Sequence, residues 1–317
     1  MSNLKGLKIG FFGTPDFALE FLKYLYYQEV TISFVVSQPA SLSGRGKKLK
    51  NSPVQEWAKK KHMETFTPLN LKDQKFKNKI KDKKADFIIV AAYGRLIDEF
   101  IIDFPKFHTL NVHGSLLPKW RGAAPIQRSI LNGDKETGVS IMKVVKKLDA
   151  GPVVLKKKIL ITTHDNSESI YKKILLTGKP LLKECLIKII SNDYSLVTQD
   201  ESLATYAKKI EKKEARINWN DSAQIVHQKI RAFNPSPGAF SLVKNSKKRI
   251  KILKADIIKK SFIKDYKNLD IGHCSEELIV RCGDGFIKVL EIQPEGKAKL
   301  KSSEFLNGYN FKNLIFE

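Results

Sequence analysis

Apolar positions fall into two periods along the first half of the chain. Residues 5–13 form an apolar run ending in glycine and predict a buried strand. Residues 15–28 place Phe17, Ala18, Phe21, Leu22 and Leu25 at helical spacing, with Pro15 tolerated in the first turn. Residues 30–37 are β-branched and predict a second strand, and 41–51 a polar, glycine-containing loop. Ser52-Pro53 opens a helix through Lys61, with Ser52 as its cap. Residues 86–92 and 109–113 are further strands, and Pro125 fits the first turn of a helix through Leu131. Strand and helix alternating at this pace predict a doubly wound, mostly parallel α/β sheet, Rossmann-like, with helices on both faces.

Residues 138–145 and 153–161 read as two strands able to pair as a hairpin. Residues 167–191 are helical, with a break expected at Gly178-Lys179-Pro180. From Tyr206 onward the style changes. Short β-like runs at 239–243, 249–257, 277–281 and 286–293 are separated by Gly, Asp and Asn. They predict a small barrel or sandwich as a second domain. The expected division is 1–190, a linker at 191–207, and 208–317.

The 317 residues suffice for one large or two ordinary domains, and 42% hydrophobic content suffices for a core. No run reaches the ~18 apolar residues of a membrane helix. The opening residues do not resemble a signal peptide, so a cytoplasmic location is expected. Cys185, Cys274 and Cys282 are too few for a disulfide framework, and Cys185 lies in an apolar helical stretch as a small core side chain. No Cys or His spacing resembles a zinc site, and no metal is expected. The net charge of +24 attracts polyanions. Lysine supplies nearly all of it, however, and a genome biased towards A and T raises lysine without selection for RNA. Charge alone leaves both explanations standing.

The richest stretch is 111–127. Side chains alternate in a strand, so Asn111 and His113 share a face, and Gly114 ends the strand. Ligands of parallel α/β sheets bind at the carboxyl ends of strands, where these two residues belong. Leu116-Leu117-Pro118 forces an extended turn. Chemistry through a tetrahedral oxyanion needs a donor near the oxygen and a group that manages protons at neutral pH. An asparagine donates without changing charge, and an unperturbed histidine titrates near ~6.5. Asp149, in a loop before Gly151, is a candidate to orient the imidazole. Spacing leaves a plainer reading open, with Asn111 capping a turn, His113 satisfied in the interior and Asp149 in a turn.

Nearly the whole chain resembles the methionyl-tRNA formyltransferase family. The marks run from Phe12-Gly13-Thr14-Pro15-Asp16-Phe17-Ala18, through Ser37-Gln38-Pro39, Gly44-Arg45-Gly46-Lys47-Lys48-Leu49 and Ser52-Pro53-Val54, to Ala92-Tyr93-Gly94 and the 111–127 stretch. They continue through Gly133-Asp134, Thr137-Gly138-Val139, Leu148-Asp149 with Gly151, Glu214-Ala215-Arg216-Ile217 with Trp219, and Arg231-Ala232-Phe233-Asn234-Pro235. The resemblance implies catalytic Asn111, His113 and Asp149, and direct transfer without a covalent enzyme intermediate. It implies 10-formyltetrahydrofolate as donor, bound beside Ser115, Leu116, Leu117 and Pro118, with Tyr93 and Gly94. It implies initiator methionyl-tRNA as acceptor, contacted by Arg45, Lys47 and Lys48 and by a C-terminal barrel of the open, OB-like type. No membrane is implied, and a monomer is expected.

Three positions depart from the family pattern: Ala40, Ala150, and Asp98 where the family often has proline. Alternatives remain. A sister formyltransferase acting on a sugar nucleotide or glycinamide ribonucleotide needs neither the 44–48 segment nor a basic barrel. A nucleotide phosphate loop is excluded, since position 41 is serine and no Ser or Thr follows Lys47. A dinucleotide-dependent oxidoreductase lacks its fingerprint, because the first turn does not carry G-x-G-x-x-G. A tRNA-binding protein without catalysis has no use for an intact trio.

Overall fold

The computed structural model describes residues 4–43, 48–244, 246–258, 266, 268–308 and 314–317. Its contacts divide the chain into two compact units. The first comprises Met1–Pro125, Thr137–Leu160 and Lys172–Lys208; the second comprises Ile126–Glu136, Ile161–Tyr171 and Lys209–Glu317.

In chain order the first half contains β1 (Lys8–Gly13), α1 (Asp16–Tyr27), β2 (Thr31–Val36), β3 (Ser41–Ser43), β4 (Lys48–Lys50), α2 (Pro53–Lys60), β5 (Thr65–Phe66), α3 (Gln74–Lys81), β6 (Phe87–Ala91), α4 (Glu99–Ile102), β7 (Thr109–His113), β8 (Arg121–Gly122) and α5 (Pro125–Leu131). Then come β9 (Glu136–Lys143), β10 (Val153–Leu160), α6 (Ser167–Ile190) and β11 (Tyr206–Ala207). The main sheet has the order β10-β9-β7-β6-β1-β2-β5. β1, β2, β5, β6 and β7 pair in parallel, and β9 runs antiparallel to β7. After the exposed Lys8 that opens β1, the central strands β1 and β6 are apolar and buried because both their faces are covered. Of the predicted positions on α1, Ala18, Phe21, Leu22 and Leu25 are fully buried. The Phe and two Leu side chains among them contribute about 1.5–3 kcal/mol each.

Several details differ from the sequence expectation. The 41–51 loop contains a two-stranded antiparallel pair, β3 with β4, aligning Leu42 with Leu49. Helix α6 does not break at Gly178-Lys179-Pro180; it runs through as one helix with Pro180 inside. A proline in a helix interior costs about 3 kcal/mol. Burial of Ile174, Leu181, Leu182, Cys185, Leu186 and Ile189 along this helix outweighs that. Burial also drives the Cys185 thiol up to about 12, so it is an inert core group. Asp98 has work of its own: its carboxyl accepts from Phe100 N to cap α4 and meets Lys77 Nζ at 2.7 Å. No helix among the described residues is long and apolar enough to cross a membrane.

The second unit carries α7 (Ala223–Phe233), β12 (Phe240–Leu242), β13 (Arg249–Ile257), β14 (Ile279–Arg281), β15 (Phe286–Pro294), β16 (Leu300–Lys301) and α8 (Ser302–Gly308). Among the described residues its five strands form an antiparallel sheet in the order β12-β13-β15-β14, with β16 on β15. The strand-only expectation overlooked α7. Ala223, Val226, Ile230 and Phe233 recur at helical spacing and pack into the core of this unit, and Ser222 caps the helix through Ile225 N. Trp219 stacks on Phe316 and donates its indole N–H to Ser241 Oγ. Glu214 takes a two-pronged bond from Arg128 at 2.6 and 3.1 Å. These two motif residues therefore build structure.

Candidate functional site

β7 ends between parallel β6 and antiparallel β9, and its last turn of alternation presents Asn111 and His113 on one face. Asp149 lies in the connection from β9 to β10 with φ +47°, a left-handed conformation that costs a non-glycine residue on the order of 1–3 kcal/mol. The loop bends this tightly because Gly151 lies against β9: a Cβ there would sit 1.8 Å from the Lys143 carbonyl oxygen.

These elements bring the three predicted residues together. Asn111 Nδ2 donates to Asp149 Oδ1 at 3.2 Å, and the Gly122 N–H donates to Oδ2 at 2.8 Å. His113 Nδ1 lies 3.6 Å from the same Oδ2. His113 Nε2 lies 2.9 Å from the Trp120 carbonyl oxygen; a carbonyl only accepts, so this nitrogen donates. The side chains of His113 and Asp149 are 6% and 11% exposed, a setting in which a polar contact is stronger than in water. His113 is indeed buried and bonded and Asp149 does lie in a turn, as the plainer reading has it, but the carboxylate stands beside the imidazole rather than apart from it.

The other predicted positions differ in how they are presented. Ser115 is fully buried and its hydroxyl donates to the Lys119 carbonyl at 2.6 Å. Leu117 packs inward against Met142 and Val153, beside a cis Leu117–Pro118 bond. Tyr93 is buried, and burial pushes its phenol up to about 12, while its carbonyl accepts from Thr14 Oγ1 and Gln38 Nε2. Leu116, Pro118 and Gly94, by contrast, keep exposed surface. Lys48 is exposed on β4, and Arg45 and Lys47 lie outside the described residues.

Sequence reading missed the residues behind the trio. Arg121 is fully buried. Its guanidinium donates to Gln199 Oε1 at 3.1 and 2.9 Å, and to both carboxylate oxygens of Glu201 at 3.1 and 2.8 Å. Arg121, and then Lys147 at 2.6 Å, hold the Glu201 carboxyl down to about 2. Gln199 lies in 191–207, a stretch whose polar composition suggests only a linker. Arg121 stands in the quoted motif, but nothing in its spacing reveals a partner 78 residues away.

Two family models match, Formyl transferase over residues 7–186 and Formyl transferase, C-terminal domain over 209–310. The methionyl-tRNA formyltransferase of Dictyoglomus thermophilum is 42% identical over 306 residues, covering 96% of this chain and 97% of that protein. The protein of the same name from Pelagibacter ubique is 42% identical over 304 residues, 95% of each. Among solved structures, an N-formyltransferase from Helicobacter canadensis in complex with folinic acid and dTDP-3-aminofucose aligns with a TM-score of 0.65 and 21% identity, over 91% of this chain and 99% of that one. HypX from Aquifex aeolicus in complex with tetrahydrofolic acid aligns with a TM-score of 0.64 and 18% identity, over 95% of this chain and 47% of that one. Identities this low speak for the fold.

Proposed function

The chain belongs to the methionyl-tRNA formyltransferase family, and from that premise we propose that it moves the formyl group of 10-formyltetrahydrofolate onto the α-amino group of initiator methionyl-tRNA. The observation that carries the reading is the meeting of Asn111, His113 and Asp149 at the end of β7, although Asp149 is 38 residues from Asn111 in sequence.

In this reading the neutral amine of the acceptor attacks the formyl carbon, and the carbonyl electron pair moves onto oxygen. Asn111 Nδ2–H and His113 Nε2–H donate to that oxyanion. The histidine proton is already present, held on the Trp120 carbonyl, so serving the oxyanion exchanges one acceptor for another. Asp149 faces His113 Nδ1 and keeps the imidazole oriented; it also helps to position a water that passes the amine proton to the departing folate nitrogen. Collapse of the intermediate breaks the bond from the formyl carbon to that nitrogen and leaves an N-formyl amide.

The donor binds along the exposed surface of Leu116, Pro118 and Gly94, with Ser115, Leu117 and Tyr93 backing the wall from within. Arg45, Lys47 and Lys48 meet the acceptor end of the tRNA, where a guanidinium fork suits phosphate or a base edge. Arg45→Ala is expected to raise KM for tRNA and leave donor binding intact.

The decisive assay supplies label in the formyl group of the folate and offers charged initiator tRNA beside amino sugars and glycinamide ribonucleotide. Label on methionyl-tRNA, dependent on the donor, supports the proposal. Label on a small amine with none on tRNA overturns it.

A further inference from the structure

We infer that Arg121 and Gln199 are positioning residues for this reaction, a buried brace that holds the backbone of the Asp149 loop in its reactive conformation; the inference rests on Asn111, His113 and Asp149 being the reacting trio. Gln199 is 7% exposed. Its amide nitrogen donates to the carbonyl oxygens of Asp149 and Gly151 at 2.9 and 2.6 Å. Its amide oxygen takes both hydrogen bonds from Arg121. Only one orientation of the amide fits. Turned over, it would set oxygen against two carbonyls and an NH2 group against a guanidinium. The guanidinium therefore selects the rotamer that lets Gln199 grip the loop.

The loop needs that grip. Asp149 is in the left-handed region, and the close fit of Gly151 on β9 leaves no slack. The same segment fastens the other side of the site. Thr205 accepts from Arg121 N through its carbonyl and from Trp120 N through its hydroxyl, both at 2.9 Å. β11 pairs with β8, and the Ala207 carbonyl accepts from Ala123 N at 2.8 Å. The stretch from Val197 to Ala207 thus ties down both loops that face the imidazole: Trp120–Gly122, which supplies the Trp120 carbonyl and the Gly122 N–H, and Asp149–Gly151. The hydrogen bonds of Arg121 and Gln199 reach the trio only through backbone atoms, so their effect is on geometry.

Gln199→Glu tests this with little change in shape. The carboxylate still accepts from Arg121 but repels the two carbonyls it must grip. We expect kcat to fall by about 10-fold to 10²-fold, the scale of a ~1 Å misplacement, with both KM values within about threefold of wild type. In an Asp149→Asn background the same change is expected to cost less than about twofold, because the group it positions is already gone. Amide hydrogen exchange over residues 145–152 is expected to quicken in Gln199→Glu at unchanged melting temperature. Glu201→Gln, at a carboxylate 54% exposed, is the second variant should Gln199→Glu not fold, and a smaller loss of kcat with the same pattern is expected. Wild-type kcat in the folded variants, or an equal loss in the Asp149→Asn background, overturns the brace. If wild-type protein fails to formylate methionyl-tRNA, the reaction proposed above is at fault, and the exchange measurement still decides on the brace.

Discussion

Asp149 is surrounded by donors, two of which reach it at hydrogen-bond distance, Asn111 Nδ2 and the Gly122 N–H. A hydrogen bond to a charged group is worth about 1.5–3 kcal/mol, comparable with the left-handed strain at the same residue. The site thus holds a strained carboxylate by direct bonds, and removing it leaves His113 without its partner. We expect His113→Ala and Asp149→Ala each to lower turnover by ~10²-fold or more in assays with purified protein; turnover near wild type removes that residue from the mechanism. A different histidine contributes to acid sensitivity. His227 is buried in the second unit, and burial, then the Arg231 charge, push its imidazole down to about 4. An unfolded histidine takes up its proton near ~6.5, so between these values the unfolded chain binds more protons and stability falls as pH falls. Urea midpoints measured across that window are expected to drop more steeply for wild type than for His227→Gln. Equal slopes contradict the assignment.

At the scale of elements, α6 and the β9–β10 connection carry the sharpest tests. Pro180 is exposed on α6 and leaves the Leu176 carbonyl without its in-register donor. Pro180→Ala restores that donor, worth about 3 kcal/mol in a helix interior, against ~1 kcal/mol of gained freedom in the unfolded chain. A net gain of about 2 kcal/mol is expected in urea unfolding, without change in activity. Gly178 belongs to the same account: a Cβ there would sit 3.0 Å from Phe21 Cζ and 3.2 Å from Val139 Cγ1, so the glycine allows close packing rather than ending the helix. In the connection, Gly151→Ala has no such latitude, since the clash is with Lys143 backbone. The loop must shift, and kcat is expected to fall by about 10²-fold while the protein still folds. Activity unchanged in that variant shows that the position of the Asp149 loop does not matter to the reaction.

For the whole molecule, the excess of positive charge separates two explanations by a measurement. If lysines track phosphates, KM for tRNA rises steeply with salt, with a log–log slope of about 0.7–0.9 per neutralised phosphate, while KM for the folate donor changes little. Arg45→Ala is then expected to reduce the slope by about one. A KM for tRNA that is flat in salt assigns the lysines to composition.

α3, α4 and the short strands β3–β5 went unread along the chain, and Asn111, His113 and Asp149 were candidates that the family resemblance singled out. Periodicity and turn chemistry were enough for β1, α1, β2, α2, β6, β7, α5, β9 and β10, the buried face of α1, the cap at Ser52 and the strand-rich character of the second unit. Each of those rests on neighbours within a few positions. Tertiary structure decided what depends on distant partners. α6 continues through Pro180 because packing along its length outweighs a local defect. Asn111, His113 and Asp149 converge because the backbone turns left-handed at Asp149 and Gly151 fits against β9. The polar stretch holding Gln199, featureless by composition, fastens the site because Arg121 and two carbonyls reach it from 78, 50 and 48 residues away. Local sequence carries no record of bonds made over such separations.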